Sequence, residues 1–243
     1  MLKLTKLVCV ALVCATALQV PAIARPQASS LQRPAADVAR DAARKPKEML
    51  ALAGIKRGQK VADFLPGGGY FTRVFAIATG PAGKVYAVVP KEDPGGTKAM
   101  QALVAQPGNR NISLVADLGS ITPAGTLDVV WTAQNYHDLH IGLPAEVVAG
   151  FNASVFAALK PGGVFVVVDH VANAGSDAAA IQKLHRIDPE LVKSEVLAAG
   201  FVLDGETMTL RNPTDDHSKT AYDPAISGKT DQFALRFRKP LKP

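Results

Sequence analysis

Residues 61–72 of the chain, VADFLPGGGYFT, join a short apolar stretch to an apolar helical pattern through three successive glycines. The apolar stretch predicts a buried strand, and the spacing from residue 70 onward predicts a helix. Glycines at the junction allow positive φ angles and a close approach of the backbone to a ligand. The helix N-terminus beyond them offers free N–H groups. The stretch therefore predicts a turn that binds a nucleoside-type cofactor; the alternative is a tight strand-to-helix turn without a ligand.

Around this unit, short apolar runs alternate with helical stretches. The runs predict strands at 60–64, 84–89, 112–115, 127–132, 164–169, 201–210 and 232–238. Helices are predicted at 37–52 with a break near Pro46, and at 70–78, 97–105, 145–159 and 189–199. Parallel neighbours need a crossover helix, whereas the last two strands are joined only by the polar stretch 212–230. The fold class is therefore α/β, a three-layer α/β/α sandwich with a seven-stranded, mostly parallel sheet and an antiparallel last strand.

The N-terminal segment has its own pattern. Lys3 and Lys6 precede an apolar run over 7–18, and Ala22-Ile23-Ala24 resembles a signal-peptidase site. Residues 1–24 are therefore predicted to be a signal peptide, and the protein to be periplasmic or secreted. A membrane anchor is the alternative, but the run is shorter than the ~20 residues that span a bilayer. After cleavage of the signal peptide, no stable membrane anchor is expected. Residues 25–36, rich in Pro, Ser and Ala, are predicted to be a flexible leader, and residues 37–243 a single domain.

Cysteine content and charge exclude several classes of protein. Both cysteines, Cys9 and Cys14, lie in the predicted signal peptide, so the mature chain is predicted to have neither disulfides nor thiolate metal sites. The net charge of +6 is spread without a run of five like charges. Nucleic-acid binding is therefore not expected. The oligomeric state stays open.

Several segments, taken in order, resemble the class I S-adenosylmethionine-dependent methyltransferases. That family's first motif is an acidic residue followed by alternating glycines at the end of the first strand, and Asp63, Gly67 and Gly69 match it. The segments 111–117, 127–130 and 159–163 (LKPGG) match later family segments, as does the reversed last strand. The resemblance covers residues 47–238 and is greatest to an exported bacterial branch of predicted methyltransferases.

This resemblance implies a Rossmann-like methyltransferase fold, with S-adenosyl-L-methionine as cofactor. It assigns the cofactor to Asp63, Gly67, Gly68, Gly69, Glu92 and Asp117. Two positions depart from the family pattern. Leu65 replaces the first glycine, so the turn is expected to take another path, and Val89 stands where an acid would bind the ribose, leaving Glu92 or Asp93 to replace it. A nicotinamide dinucleotide fits less well, because Thr72 stands where Gly or Ala is wanted.

All five histidines lie in the second half of the chain. Residues 135–140 follow the fourth strand, and Asp169 and His170 end the fifth, so both groups are expected at the ligand-binding edge of the sheet. We expect His170 to act as general base, positioned by Asp169, with Asn135, Tyr136 and His137 shaping the acceptor pocket. Alternatively, His137 and His140 are loop residues without a catalytic role.

A metal site is the less favoured interpretation of the same groups. Imidazole and carboxylate are good ligands, and the candidates are His137, Asp138, His140, Asp169 and His170. Their spacing matches no established motif, so no metal is predicted. Further along, His185 and Arg186 either reach an anionic substrate or cover the sheet edge. Residues 211–217 are either a lid or a plain connection.

The leading functional prediction is therefore a methyltransferase acting on a small molecule outside the cytoplasm. S-adenosylmethionine is made in the cytoplasm. An exported enzyme therefore has to import it, scavenge it or use another ligand. Two alternatives follow from this point. One is a non-catalytic protein that binds a nucleoside or another small molecule, and the other is a metal-dependent hydrolase or lyase.

Overall fold

A computed structural model describes residues 32–121 and 123–241, and the predicted signal peptide lies outside these residues. Its seven-stranded sheet has the order β3-β2-β1-β4-β5-β7-β6. Strand β7 runs antiparallel to both its neighbours, and the other adjacent pairs are parallel. The predicted α/β fold class and reversed last strand are thereby confirmed. The strands are β1 Lys60–Phe64, β2 Lys84–Val88, β3 Ile112–Val115, β4 Leu127–Ala133, β5 Leu159–His170, β6 Val202–Thr207 and β7 Gln232–Arg238.

Helices cover both faces of this sheet. They are α1 Ala35–Val38, α2 Asp41–Arg44, α3 Pro46–Ala53, α4 Tyr70–Thr79, α5 Pro94–Val104, α6 Ala145–Ala158, α7 Ala178–Leu184 and α8 Pro189–Ala198. Apolar residues of α3, α4 and α5 pack in one core layer, and those of α6, α7 and α8 pack in the other. Central strands buried on both faces carry continuous apolar runs, which is why the sequence predicts them well. Within the described residues, no helix has the length and apolar character needed to cross a membrane.

One helix boundary agrees with the prediction from the sequence, and one helix was not predicted. The break predicted near Pro46 is present, since Lys45 has a φ of 47° and Pro46 begins α3. Helix α7 was not predicted, because Ile181 is its only fully buried residue and its sequence carries little periodicity. Asp177 nevertheless caps it by accepting a hydrogen bond from the backbone N–H of Ala180.

The site lies at the carboxyl ends of the parallel strands. Strand β1 lies beside β2 on one side and β4 on the other, so successive strands are added outward in opposite directions from this point. Ligands of open α/β sheets bind in the crevice at such a reversal. The glycine turn after β1 and the histidine-bearing segment after β4 therefore face the same crevice.

Candidate active site

The glycine turn begins with a leucine in an unusual backbone conformation. Leu65 has a φ of 52°, in the left-handed region that favours glycine. Its N–H donates a hydrogen bond to the carbonyl of Val88, which continues the pairing of β1 with β2. Leu65 therefore occupies a conformation that glycine adopts more readily, and the expected change of path at this position stays a prediction.

Replacing Leu65 provides a test of this strain. A side chain in the left-handed region costs on the order of 1 kcal/mol, and glycine avoids that cost. We expect Leu65→Gly to be more stable than Leu65→Ala by about 1 kcal/mol, although glycine is normally the less stable of the two. Urea denaturation of both variants measures the difference. Leu203→Ala and Leu203→Gly, in exposed β6, are the control pair, and there the alanine variant should be the more stable of the two. If the alanine variant is also the more stable at Leu65, the strain is contradicted.

The three glycines have different environments. A Cβ on Gly69, whose φ is 77°, would lie 2.5 Å from Cδ1 of Leu103, so packing against α5 explains this glycine. Gly67 also has a positive φ, of 54°, but a Cβ on Gly67 or on Gly68 would meet nothing within 4 Å. Packing therefore accounts for Gly69 but gives no reason for Gly68. Open space in front of the turn agrees with a close approach of a ligand.

Asp63, the acid of the first motif, is buried behind this turn. The hydroxyl of Thr72 donates a hydrogen bond of 2.6 Å to Oδ2 of Asp63, joining β1 to the first turn of α4. Burial raises the pKa of Asp63 to about 7, against the opposing effects of the Thr72 hydrogen bond and the positive charge of Arg44. The structure thus places Asp63 where it fixes the turn, and its role toward a cofactor stays a prediction.

The raised pKa of Asp63 predicts a pH dependence of stability. A carboxyl whose folded pKa exceeds its unfolded value adds stability at low pH and loses it as the pH rises through about 7. The wild-type free energy of unfolding should therefore fall, relative to that of Asp63→Asn, by about 4 kcal/mol between roughly pH 4 and pH 8. Denaturant titrations of both proteins at several pH values measure this, and parallel pH profiles would contradict it.

A cleft of about 470 Å³ opens at Phe64, directly before the glycine turn, between the ends of β1, β2 and β3. Phe64, Glu92, Asp117 and Phe151 are among its lining residues. Asp93 is not, since its carboxylate caps α5 by accepting from the N–H of Gly96 at 2.8 Å. Of the two acids that follow β2, Glu92 is therefore the one available to a ligand in the cleft.

Asp117 is exposed at the end of β3 and caps a short 3₁₀ turn. Its carboxylate accepts hydrogen bonds from the backbone N–H and the hydroxyl of Ser120, at 2.7 and 3.0 Å. A carboxylate has room for further donors beyond these two. Glu92 and Asp117 are thus brought to one cleft, as the resemblance implied.

Asn135 and Tyr136 follow β4 and point in different directions. The amide of Asn135 donates to the carbonyl of Leu65 at 2.9 Å, which joins the end of β4 to the glycine turn. The hydroxyl of Tyr136 donates to Glu195 at 3.0 Å and accepts from Asn152 at 2.8 Å, so this ring lies between α6 and α8. Asn135 is thereby near the crevice, whereas Tyr136 belongs to the helical layer.

His137 and Asp169 form a fully buried pair. Oδ1 of Asp169 lies 2.8 Å from Nδ1 of His137, and Oδ2 accepts the backbone N–H of His137 at 2.8 Å. Burial would lower the pKa of His137, but the carboxylates of Asp169 and Asp138 outweigh it and raise that pKa to about 10. Burial would raise the pKa of Asp169, but His137 holds it below its usual value. At neutral pH the two residues are an ion pair.

The expectation that Asp169 positions the ring of His170 is wrong. Asp169 accepts only the backbone N–H of His170, whose ring instead lies with Nδ1 2.7 Å from the hydroxyl of Thr230. The physical reason is that consecutive strand residues project to opposite faces of a sheet. Burial, opposed by Asp169 and reinforced by the charge on His137, lowers the pKa of His170 to about 4. His170 is therefore neutral at pH 7 and a weak base.

Arg186 does not reach an anionic substrate, so that alternative is wrong. Its side chain is fully buried, and its guanidinium donates to both carboxylate oxygens of Asp215 and to the carbonyls of Val171 and Lys219. These bonds hold the polar stretch 212–230 against the end of β5. They account for this stretch as a fastened connection rather than a free lid.

A second histidine approaches His137 from α7. His185 has a φ of 51°, and its ring centroid lies 5.4 Å from that of His137. Oδ1 of Asp138 lies 3.2 Å from Nε2 of His137 and 3.7 Å from Nδ1 of His185. His140 is turned away from this group, with Nε2 3.3 Å from Glu195. Among the metal-ligand candidates, the structure thus brings together His137 and Asp138, and adds His185.

Strand order, reversed β7 and a glycine turn at the β1/β4 crevice define the class I S-adenosylmethionine-dependent methyltransferase fold. Solved structures agree: such a methyltransferase from Aquifex aeolicus superposes with a TM-score of 0.59 and 19% identity, over 83% of this chain and 93% of that one. The 1,6-didemethyltoxoflavin-N1-methyltransferase of Burkholderia thailandensis, solved with S-adenosylhomocysteine, gives 0.57 and 17%, over 85% and 81%. The [4+2]-cyclase SpnF gives 0.59 and 18%, over 82% and 81%. No protein-family model and no curated protein matches the sequence.

Proposed function

We propose that this protein is an S-adenosylmethionine-dependent methyltransferase that acts on a small molecule in the periplasm or outside the cell. One observation carries the proposal: the open turn at Gly67 and Gly68 follows directly after Phe64, which lines a cleft together with Glu92 and Asp117. A turn with free space accommodates a ligand against the backbone, and two acids accept hydroxyl and amino hydrogens. Methyltransferases on the same fold support it, although the cyclase shows that the fold alone does not fix the reaction.

The residues present suit such a cofactor. Gly67 and Gly68 would lie against it, Glu92 would hold ribose hydroxyls, and Asp117 would face the adenine amino group. S-adenosylmethionine supplies an electrophilic methyl group, and the protein has to hold the acceptor atom in line with it. Asn135 serves this alignment by fixing the end of β4 to the glycine turn.

Proton removal is required only when the acceptor atom carries a proton that must leave. His170, neutral with a pKa of about 4, can accept only a weakly held proton, so the proposed acceptor is acidic or reacts without a base. With such an acceptor, we expect His170→Ala to lose about tenfold or more in kcat if His170 is the base. His170→Phe is the second variant. Full turnover by both variants would show that His170 is not the base.

Calorimetric titration with S-adenosylmethionine and S-adenosylhomocysteine tests the proposal. We expect micromolar binding of both, and a loss of about tenfold or more in Gly68→Leu, since a Cβ there meets nothing within 4 Å and the rest of the side chain would occupy the open space. Gly205→Leu, in β6 far from the turn, is the matched control, since a Cβ there also meets nothing within 4 Å. No binding by the wild type, or equal binding by both variants, would overturn the proposal.

Two observations favour a second candidate, a non-catalytic nucleoside-binding protein. Leu65 places a strained side chain at a glycine position, and Val89 replaces the expected ribose-binding acid. Such a protein would bind S-adenosylhomocysteine or adenosine but transfer no methyl group. Incubation with S-adenosylmethionine labelled in the methyl group and extracts of small molecules separates the two candidates by the appearance of labelled product.

The proposed location rests on the sequence of residues 1–24. Fractionation of cells that produce the protein with a C-terminal tag, followed by mass measurement, tests it. We expect the chain in the periplasm or medium with 24 residues removed, as the Ala22-Ile23-Ala24 pattern predicts. A full-length chain in the cytoplasm would contradict export.

A further inference from the structure

We propose that His137, Asp138 and His185 bind a divalent transition-metal ion such as Zn²⁺. Nε2 of His137, Nδ1 of His185 and a carboxylate oxygen of Asp138 all lie within 4.8 Å of one another. Two imidazoles and one carboxylate are a ligand set that zinc and iron sites use. The proposal does not depend on the cofactor proposed above.

The two ring nitrogens lie nearest to one carboxylate oxygen of Asp138, at 3.2 and 3.7 Å. Nε2 of His137 and Nδ1 of His185 are buried and make no hydrogen bond to any described residue. The His137 side chain is 0% exposed, and its Nε2 lies near Asp138 in a geometry that is not a hydrogen bond. A buried polar atom without a partner costs free energy, so two such atoms aimed at one point need an explanation. A shared ion supplies one.

The separations of the three ligand atoms fit a metal ion. Ligands at about 2.0–2.1 Å from zinc in a tetrahedral site lie roughly 3.3 Å from one another. The observed separations from Oδ1 of Asp138 are 3.2 Å to His137 and 3.7 Å to His185. Nε2 of His137 and Nδ1 of His185 lie within 4.8 Å of each other, so a bound ion would draw the three ligand atoms closer together.

His137 is also held in the way that metal-ligating histidines are held. Its other ring nitrogen lies 2.8 Å from the carboxylate of Asp169, which is completely buried. Such a carboxylate fixes the ring orientation, and an ion that binds Nε2 would displace the proton that this nitrogen carries in the ion pair. Asp169 is therefore a positioning residue for this site.

His185 carries a second sign of specialisation. It ends α7 in the left-handed region with a φ of 51°, a conformation that costs a residue with a side chain about 1 kcal/mol or more. The strained turn directs its ring toward His137, and the ring of Tyr222 packs on it at 4.7 Å between centroids. Strain of this kind persists where the surroundings impose it, and a ligand position is a common reason.

One side of the group stays open. The side chains of Asp138 and His185 are 42% and 29% exposed, so three protein ligands would leave a coordination position for water or for a substrate oxygen. Because His137 follows β4, that position lies at the same sheet edge as the glycine turn. An ion there would act as a Lewis acid on a bound hydroxyl or carbonyl oxygen.

Zinc titration of the purified protein, free of any affinity tag, tests the site. We expect one Zn²⁺ per chain with micromolar or tighter affinity, and no comparable binding of Ca²⁺, which prefers oxygen ligands. His185→Ala and Asp138→Asn, both at partly exposed positions that should fold, are expected to weaken zinc binding by about tenfold or more. The Tm should rise with Zn²⁺ in the wild type and much less in these variants.

His140→Ala is the matched control. His140 ends the 3₁₀ turn His137–His140, which also holds His137 and Asp138, but its ring lies against Glu195. It should bind zinc as the wild type does. The proposal is overturned if the wild type does not bind Zn²⁺, if the two site variants bind it undiminished, or if His140→Ala loses binding to the same extent as they do.

Discussion

Replacing Asp169 with asparagine is expected to lower the free energy of unfolding by about 3–5 kcal/mol. The carboxylate accepts three hydrogen bonds, from Nδ1 and the backbone N–H of His137 and from the backbone N–H of His170. Asparagine keeps the shape but has one acceptor oxygen, and its amide hydrogens would face these donors. The cationic ring of His137 then loses its buried counter-charge and keeps only the partly exposed carboxylate of Asp138. Urea denaturation near neutral pH measures the effect.

A surface ion pair supplies the comparison for this variant. Asp204 pairs with Arg236 and Arg238 at a partly exposed position of β6, so Asp204→Asn should cost less than about 1 kcal/mol. The free energy of unfolding at acid pH provides a second measurement. Because His137 holds the pKa of Asp169 low, the contribution of this carboxylate is present above about pH 4 and is lost as the pH falls further. A cost for Asp169→Asn as small as that of Asp204→Asn would contradict the buried ion pair.

The sheet was predictable because its central strands are buried on both faces. Strands β1, β3 and β7 begin and end at the predicted residues, and the polar stretch before β7 correctly indicated a reversed strand. Helix α7 escaped prediction because a short helix with little buried surface leaves almost no pattern in the sequence.

The site was predictable in its location but not in its pairings. Both His137 and Asp169 were expected at the carboxyl edge, and they meet there. Their hydrogen bond joins residues that are 32 positions apart, and the sequence gives no signal for it. Adjacency suggested Asp169 with His170 instead, although strand geometry separates their side chains. Side chains alternate between the two faces along a strand. This rule, applied to Asp169 and His170 at the end of β5, would have predicted that their side chains point apart.

His185 and Arg186 show the same limit more sharply. These neighbours have opposite environments, since His185 is partly exposed beside Asp138 and Arg186 is fully buried beside Asp215. Which one faces the site depends on how the stretch 212–230 folds over α7. That packing is long-range, and the polar composition of the stretch hides it.

Replacing Arg186 with methionine is expected to cost about 3–5 kcal/mol of unfolding free energy. Methionine has a similar shape but cannot donate hydrogen bonds, so Asp215 keeps a buried charge without a counter-charge. The carbonyls of Val171 and Lys219 lose their donors as well. Arg238→Met is the control, because Arg238 and its partner Asp204 are 34% and 26% exposed, so its loss should cost about 1 kcal/mol or less.

A double substitution separates the loss of the ion pair from the loss of packing. Adding Asp215→Leu to Arg186→Met removes the uncompensated charge, so the double variant should recover part of the stability lost by the single variant. Proteolysis supplies a local measurement, since Arg186 fastens the stretch 212–230 to the end of β5. Cleavage within this stretch should accelerate strongly in Arg186→Met and less in the double variant. If cleavage in the stretch stays at the wild-type rate while global stability falls, Arg186 supports the core in general and does not fasten this connection.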